Sequence, residues 1–209
     1  MVNYRDIFGG VEMDERLKKQ LEFLIEIDKV KNVFRRSYIT DGTRQENDAE
    51  HSWHLGVMAI LFSDYIEEDI NIYNVIKMVL IHDLVEIYAG DTFAFDNNSK
   101  IGKCEREFNA AIKLFELLPK DQAVEFKSLW TEFEEIATRD AEYANMLDRL
   151  QPLILNYVFD DGSWKKYGVT KLDVYKRQEI ILKKGPKKLI ELVEYLVSEC
   201  IKKGYLQDV

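Results

Sequence analysis

Met78-Val79-Leu80-Ile81-His82-Asp83-Leu84-Val85-Glu86-Ile87-Tyr88-Ala89-Gly90-Asp91 sets ionisable groups inside an otherwise apolar run. With Val75 and Ile76 just before it, the run is apolar at consecutive positions and too long for one strand. It predicts a buried helix over about Tyr73 to Tyr88. A histidine and two acids on such a helix must be paired or coordinated, because a bare charge in an apolar interior is costly. Glu86 falls four residues after His82 and three after Asp83, one turn on, so the three groups flank one surface.

Helical periodicity extends outward from this stretch in both directions. Helices are expected over about Asp14–Phe34, Asn47–Glu67, Tyr73–Tyr88, Lys100–Leu118, Asp121–Ala137 and Arg139–Phe159, with a seventh ending at Lys184 and an eighth near Gly204. Arg35 to Asp48 reads as a polar connection with Asp41-Gly42 as a turn signal. Asn47 with Glu50 three residues on has the form of a capping box. The centre of the second helix is apolar all round and is expected to be buried, Trp53 with it. Pro152 removes the usual helical partner of the Asp148 carbonyl and predicts a kink there. Gly185-Pro186 reads as a C-cap glycine followed by a helix-starting proline. No segment alternates with strand period over a useful length. The expectation is an all-α single domain over 1–209, a bundle of about eight helices. Its core motif region spans about 14–159, and C-terminal helices over 170–204 pack on it.

The chain has 209 residues, 46% of them hydrophobic, enough for one full-sized core. Its net charge of -9 argues against a grip on long nucleic acid, which needs a basic stripe. The lysines near the C-terminus read as a solvated helix face. The longest apolar run, Leu55 to Phe62, cannot span a bilayer. The start Met1-Val-Asn-Tyr-Arg-Asp lacks the pattern of a signal peptide, and two distant cysteines, Cys104 and Cys200, make no disulfide framework. A soluble cytoplasmic protein is expected, with no chemical role for the cysteines.

All three histidines, at 51, 54 and 82, lie on the two most apolar helices. Asp148 is a further acid in an apolar pattern, Ala144-Asn145-Met146-Leu147-Asp148. Two His and two Asp (His51, His82, Asp83, Asp148) suit one divalent ion such as Mn, Co, Ni, Fe, Zn or Mg, and leave coordination open for water and substrate. An unligated Glu86 beside them can move the proton. His54, one turn after His51, reads as a supporting or core histidine.

His51 … His82-Asp83 … Asp148 resembles the H…HD…D signature of the HD-domain metal-dependent phosphohydrolases. Glu46-Asn47-Asp48-Ala49-Glu50-His51-Ser52-Trp53 and His82 to Asp91 are most similar to the bacterial 5'-deoxynucleotidase branch. The resemblance implies that the four signature residues bind one divalent ion, that Glu86 takes part in proton transfer, that Asp91 contacts the sugar hydroxyl, and that Arg36 faces the nucleotide. It also implies a small nucleotide substrate and a homodimer. That branch places Trp after the basic residue to disfavour a 2'-hydroxyl. Here Ser37 stands there, so deoxyribose selectivity is not implied. The leading expectation is hydrolysis of nucleoside 5'-monophosphates, deoxy or ribo, to nucleoside and phosphate. The alternatives are an HD-type phosphodiesterase or nucleoside triphosphohydrolase, and a non-catalytic module stapled by metal.

Overall fold

The computed structural model describes residues 14–67, 69–91, 95, 102–160 and 162–208. The N-terminal stretch, most of the loop expected over Ala89–Ser99 and the helix start expected at Lys100 lie outside the described residues. Helix α1 (Glu15–Ile27) starts at Asp14, whose carboxylate accepts from the Leu17 amide at 3.1 Å. It stops well before Phe34. A 3₁₀ turn over Asp28–Asn32 follows, and then two short strands, β1 (Phe34–Tyr38) and β2 (Gln45–Asn47), pair antiparallel.

The hairpin corrects the purely helical expectation. Phe34-Arg35-Arg36-Ser37-Tyr38 carries an aromatic at each end, and the Asp41 carboxylate accepts from the Thr43 amide and hydroxyl to fix the turn. Phe34 pairs with Asn47 and Tyr38 with Gln45, so four steps on β1 oppose two on β2. The pairing is irregular between these two points, and Arg35 lies inward between the exposed Phe34 and Arg36.

Helix α2 (Asp48–Phe62) begins with the expected capping box: the Asn47 side chain accepts from the Glu50 amide at 3.0 Å, and Glu50 accepts from the Asn47 amide at 3.2 Å. It buries one face only, through His51, Ser52, Leu55, Met58 and Ala59. Trp53 (66% exposed), Val57, Ile60 and Leu61 face outward, against the expectation of all-round burial. Helix α3 (Ile72–Ile81) tightens at the histidine into a 3₁₀ turn over His82–Val85, followed by the single turn α4 (Glu86–Ala89). Residues i and i+3 eclipse in a 3₁₀ turn, which brings Asp83 and Glu86 over one another. Gly90 closes the segment at φ 76°, a conformation only glycine adopts freely, and its amide donates to the Glu86 carbonyl at 2.8 Å.

Further on come α5 (Lys103–Phe115), α6 (Lys120–Glu135) and α7 (Arg139–Val158). Helix α7 runs as one 20-residue element through Pro152. The expected seventh helix is two pieces, α9 (Lys171–Arg177) and α10 (Glu179–Lys184), preceded by the short α8 (Ser163–Lys166). The last is α11 (Lys187–Lys202). Helices α2, α3 and α7 pack on one another, α6 flanks α3 and α7, and α11 lies along α7. Leu55, Val75, Met78, Leu147 and Leu150 are fully buried where they meet, in a hydrophobic core that runs from Phe23 to Leu206. No described helix is long and apolar enough to cross a membrane.

Gly185 is extended (φ -75°, ψ 160°), not a left-handed C-cap. Its need for glycine is close approach. A Cβ there would lie 2.5 Å from the Ile181 carbonyl oxygen and 3.1 Å from its Cα, and backbone cannot retreat cheaply. Gly185→Ala is expected to destabilise the fold by about 1–3 kcal/mol, read as a lower urea midpoint at unchanged slope. An unchanged midpoint would show that the α10–α11 junction has room to move.

Candidate metal centre

His51 on α2, His82 and Asp83 on the 3₁₀ turn, and Asp148 on α7 converge as expected. His51 Nε2 lies 3.1 Å from Asp148 Oδ1 and 3.8 Å from Asp83 Oδ2. His82 Nε2 lies 3.0 Å from Asp83 Oδ2 and 3.8 Å from Asp148 Oδ1. Donors held about 2.1 Å from one cation stand about 3.0 Å apart in octahedral and about 3.4 Å in tetrahedral geometry. His51, His82 and Asp83 thus offer atoms within 4.8 Å of one another, a group that could hold a cation, and Asp148 lies beside both histidines as the fourth candidate.

The ring tautomers agree. His82 Nδ1–H donates to the Val79 carbonyl at 3.0 Å, so Nε2 is the ring nitrogen turned toward Asp83 and Asp148. That Nε2 is buried and has no hydrogen-bond partner, an orphan that a cation satisfies. His51 Nδ1 is 3.0 Å from Gln151 Oε1, and Gln151 Nε2 donates to Glu46 Oε1 at 2.7 Å. The Glu46 carboxylate can only accept, so it fixes the Gln151 amide with its oxygen toward His51. His51 then carries its proton on Nδ1 and turns its own lone pair inward. Gln151 Nε2 also lies 3.2 Å from His54 Nδ1, so His54 supports this chain from outside the four. Removing the clamp with Gln151→Leu is expected to weaken binding of Mn or Zn by about 10–100-fold in a calorimetric titration. Unchanged affinity would mean that Gln151 only fills space.

The electrostatics separate two groups of acids. Burial opposes ionisation of Asp83 and Asp148. Asp83 is nevertheless held well below the usual carboxylate range, chiefly by His82 and Arg35, and Asp148 likewise by its bonds to the two histidines. Burial also works against the charge on His82, but Asp83 and Asp148 carry its pKa up to about 10. Glu86 behaves oppositely: burial and the neighbouring Asp83 and Asp48 charges push it well above its ordinary value. Asp48 rises to about 7, by burial and then by Asp83. Asp48, Glu86 and Asp91 each offer an oxygen within 4.8 Å of the others, and one oxygen on each of Asp48 and Glu86 is buried without a hydrogen-bond partner. Charged acceptors thus sit beside a carboxyl held toward neutrality, the separation that acid–base chemistry uses.

One cavity joins these groups, lined also by Arg36, Ser37, Lys103 and Glu134. Arg36 is exposed at its wall. The cation at the centre is Arg35, which the sequence reading missed. Its Nη1 is 2.6 Å from Asp83 Oδ2 and 3.3 Å from Asp48 Oδ1, and its Nη2 is 3.9 Å from Asp148 Oδ1. Arg177 on α9 donates to Asp148 Oδ2 at 3.3 Å, on the side away from the histidines. Asp48, Glu46 and Gln151 also escaped the sequence reading. Gln151 had a signal: it falls three residues after Asp148, on the same helix face.

The HD-domain family profile matches residues 27–190. A crystal structure described as a predicted metal-dependent phosphohydrolase from Magnetospirillum magnetotacticum MS-1 is 48% identical and superposes with a TM-score of 0.86, covering 92% of this chain and 96% of that one. Human 5'-deoxynucleotidase HDDC2 is 28% identical over 142 residues, 68% of each chain, and the Xenopus laevis protein of the same name is 30% identical over 66% of this chain and 67% of its own. These named nucleotidases are eukaryotic, whereas the motifs alone pointed to the bacterial branch. The structural fold, the signature residues and these likenesses agree: the chain belongs to the HD-domain family and is one of its phosphohydrolases.

Proposed function

We propose that this cavity hydrolyses nucleoside 5'-monophosphates to nucleoside and phosphate, with one divalent cation held by His51, His82, Asp83 and Asp148. The observation that carries the reading is the convergence of both histidine Nε2 atoms with the Asp83 and Asp148 carboxylates, beside a Glu86 carboxyl that burial and the neighbouring acids push above its ordinary value. When bound, the cation supplies Lewis-acid polarisation of a phosphoryl oxygen and acidifies water. Glu86 faces the cavity with an unbonded oxygen, and nearby positive charge brings its pKa back toward neutrality. It takes the proton as water attacks phosphorus and returns it to the 5'-oxygen as the P–O bond breaks. Arg36 faces the substrate's negative charge, and Asp91 accepts from a sugar hydroxyl. The names of the human and frog relatives support a nucleotide substrate. With Ser37 on the cavity wall, ribonucleotides are expected to be turned over as well as deoxyribonucleotides. The test is phosphate release from both monophosphate series with Mn, Co, Ni, Zn and Mg. Release from none of them rejects the reading.

The whole chain acts as one catalytic domain, in the cytoplasm, where its two free cysteines stay reduced. It works as a homodimer. Trp53, Val57, Ile60 and Leu61 form an exposed apolar stripe at helical spacing on α2, the composition of a self-complementary interface. Light scattering should give twice the chain mass, and Ile60→Asp should halve it. A monomeric wild type would remove the dimer.

A further inference from the structure

A second cavity, about 750 Å³, opens beside the first and shares Phe95, Ile136, Arg149 and Arg177 with it. In a chain of net charge -9, its lining among the described residues carries five basic side chains and two acids, with Arg177 paired to Asp148, Lys183 to Glu179 and Lys184 to Glu142, which leaves Arg149 and Lys176. Both acids are engaged locally: Asp173 accepts from Thr170 in a capping box, and Glu179 pairs with Lys183. Arg149 makes no hydrogen bond or ion pair with its side chain among the described residues, although it is largely buried. Lys176, on the cavity's outer edge, likewise has none. Arg149 is also built in. The buried Gln178 side chain donates to the Arg149 carbonyl at 2.8 Å, tying α7 to the α9–α10 junction. Ile136, a β-branched residue at φ 51°, forms the opposite part of the shared wall.

We propose that this second cavity is a phosphate-binding subsite. The Arg149 guanidinium, unpaired among the described residues, with Arg177 and the Lys176 ammonium nearby, suits a phosphate dianion, which accepts from several donors at once. The source is either free inorganic phosphate or a second phosphate on a nucleotide whose 5'-phosphoester lies at His51 and Asp148. The latter arm rests on the phosphomonoesterase reading, and the former does not.

The test uses the metal-loaded full chain, wild type and the surface variant Lys176→Met, with Arg149→Met as a second variant. Inorganic phosphate at about 10 mM is expected to raise the melting temperature above an ionic-strength-matched chloride control. That increment should fall by at least half in Lys176→Met. In parallel, kcat/KM is compared for a nucleoside 3',5'-bisphosphate and the matching 5'-monophosphate. A preference of about tenfold for the bisphosphate, lost in Lys176→Met and screened by salt, identifies the substrate's own phosphate as the occupant. A phosphate-dependent increment that the variant loses, with equal kcat/KM for both substrates, identifies free phosphate. Equal increments in wild type and both variants, with an unchanged substrate ratio, overturn the subsite. If neither nucleotide is hydrolysed, the phosphomonoesterase reading fails, and the melting increments still decide the subsite.

Discussion

Asp148→Asn is expected to strip the cation and lower kcat/KM by at least about a thousandfold, the scale on which loss of metal-assisted water activation and phosphoryl polarisation acts. Asp148 Oδ1 is the one carboxylate oxygen within 3.1 Å of the His51 lone pair, and it is 3.8 Å from that of His82. An amide in its place keeps the volume but replaces an anionic donor with a neutral one. The effect reaches past the cation. Arg35 and Arg177 both approach this carboxylate, and the Arg35 side chain is only 12% exposed. Loss of the charge leaves Arg35 with Asp83 and Asp48 alone, so the metal-free variant should also melt below metal-free wild type. Elemental analysis after dialysis, paired with phosphate release, makes the measurement. A variant that holds one ion per chain and keeps more than about a tenth of its activity would place the cation elsewhere.

The convergence of His51, His82, Asp83 and Asp148 was legible because burial logic singles them out: acids and histidines in apolar helical runs must be paired or coordinated. Helix order, the capping box at Asn47 and the all-round apolar α3 followed from the same periodicity. Arg35 was not legible, because the stretch read as a polar connection and only the strand it forms sets Arg35 inward and Arg36 outward. The sequence favoured its neighbour Arg36 by motif alignment alone. The 3₁₀ turn at His82 was hidden too, since its residues are as compatible with an α-helix. It matters to the site, as it aligns positions three apart, such as Asp83 and Glu86, more closely than an α-helix, which already sets them on one face. Trp53 was assigned to the core because an apolar face that packs inside the protein and one that stays exposed look identical in one sequence. Gln151 was not singled out, although its offset from Asp148 placed it on the facing surface.

Glu86→Gln separates an enzyme from a metal-stapled fold. Glu86 is not one of the four converging donors, so the variant should bind Mn or Zn at least as well as wild type, while kcat falls by about a hundred- to ten-thousandfold, the range for loss of a general acid–base group. KM should move far less, because the amide keeps the shape of the cavity wall. A second readout does not depend on turnover. In the metal-free protein, burial and the Asp83 and Asp48 charges raise the Glu86 carboxyl above its ordinary value of 4.5. The folded state therefore holds this proton more tightly than the unfolded chain does. Its contribution to stability is fully present below about pH 4.5 and is lost as the pH climbs toward the folded-state pKa. Glutamine has no proton to lose. The melting temperature of metal-free Glu86→Gln, relative to metal-free wild type, should thus rise between pH 4 and pH 8. A stable, metal-binding variant with undiminished kcat would move proton transfer to another group on the cavity wall, and Asp48, held near 7 among the same charges, is then the residue to replace next.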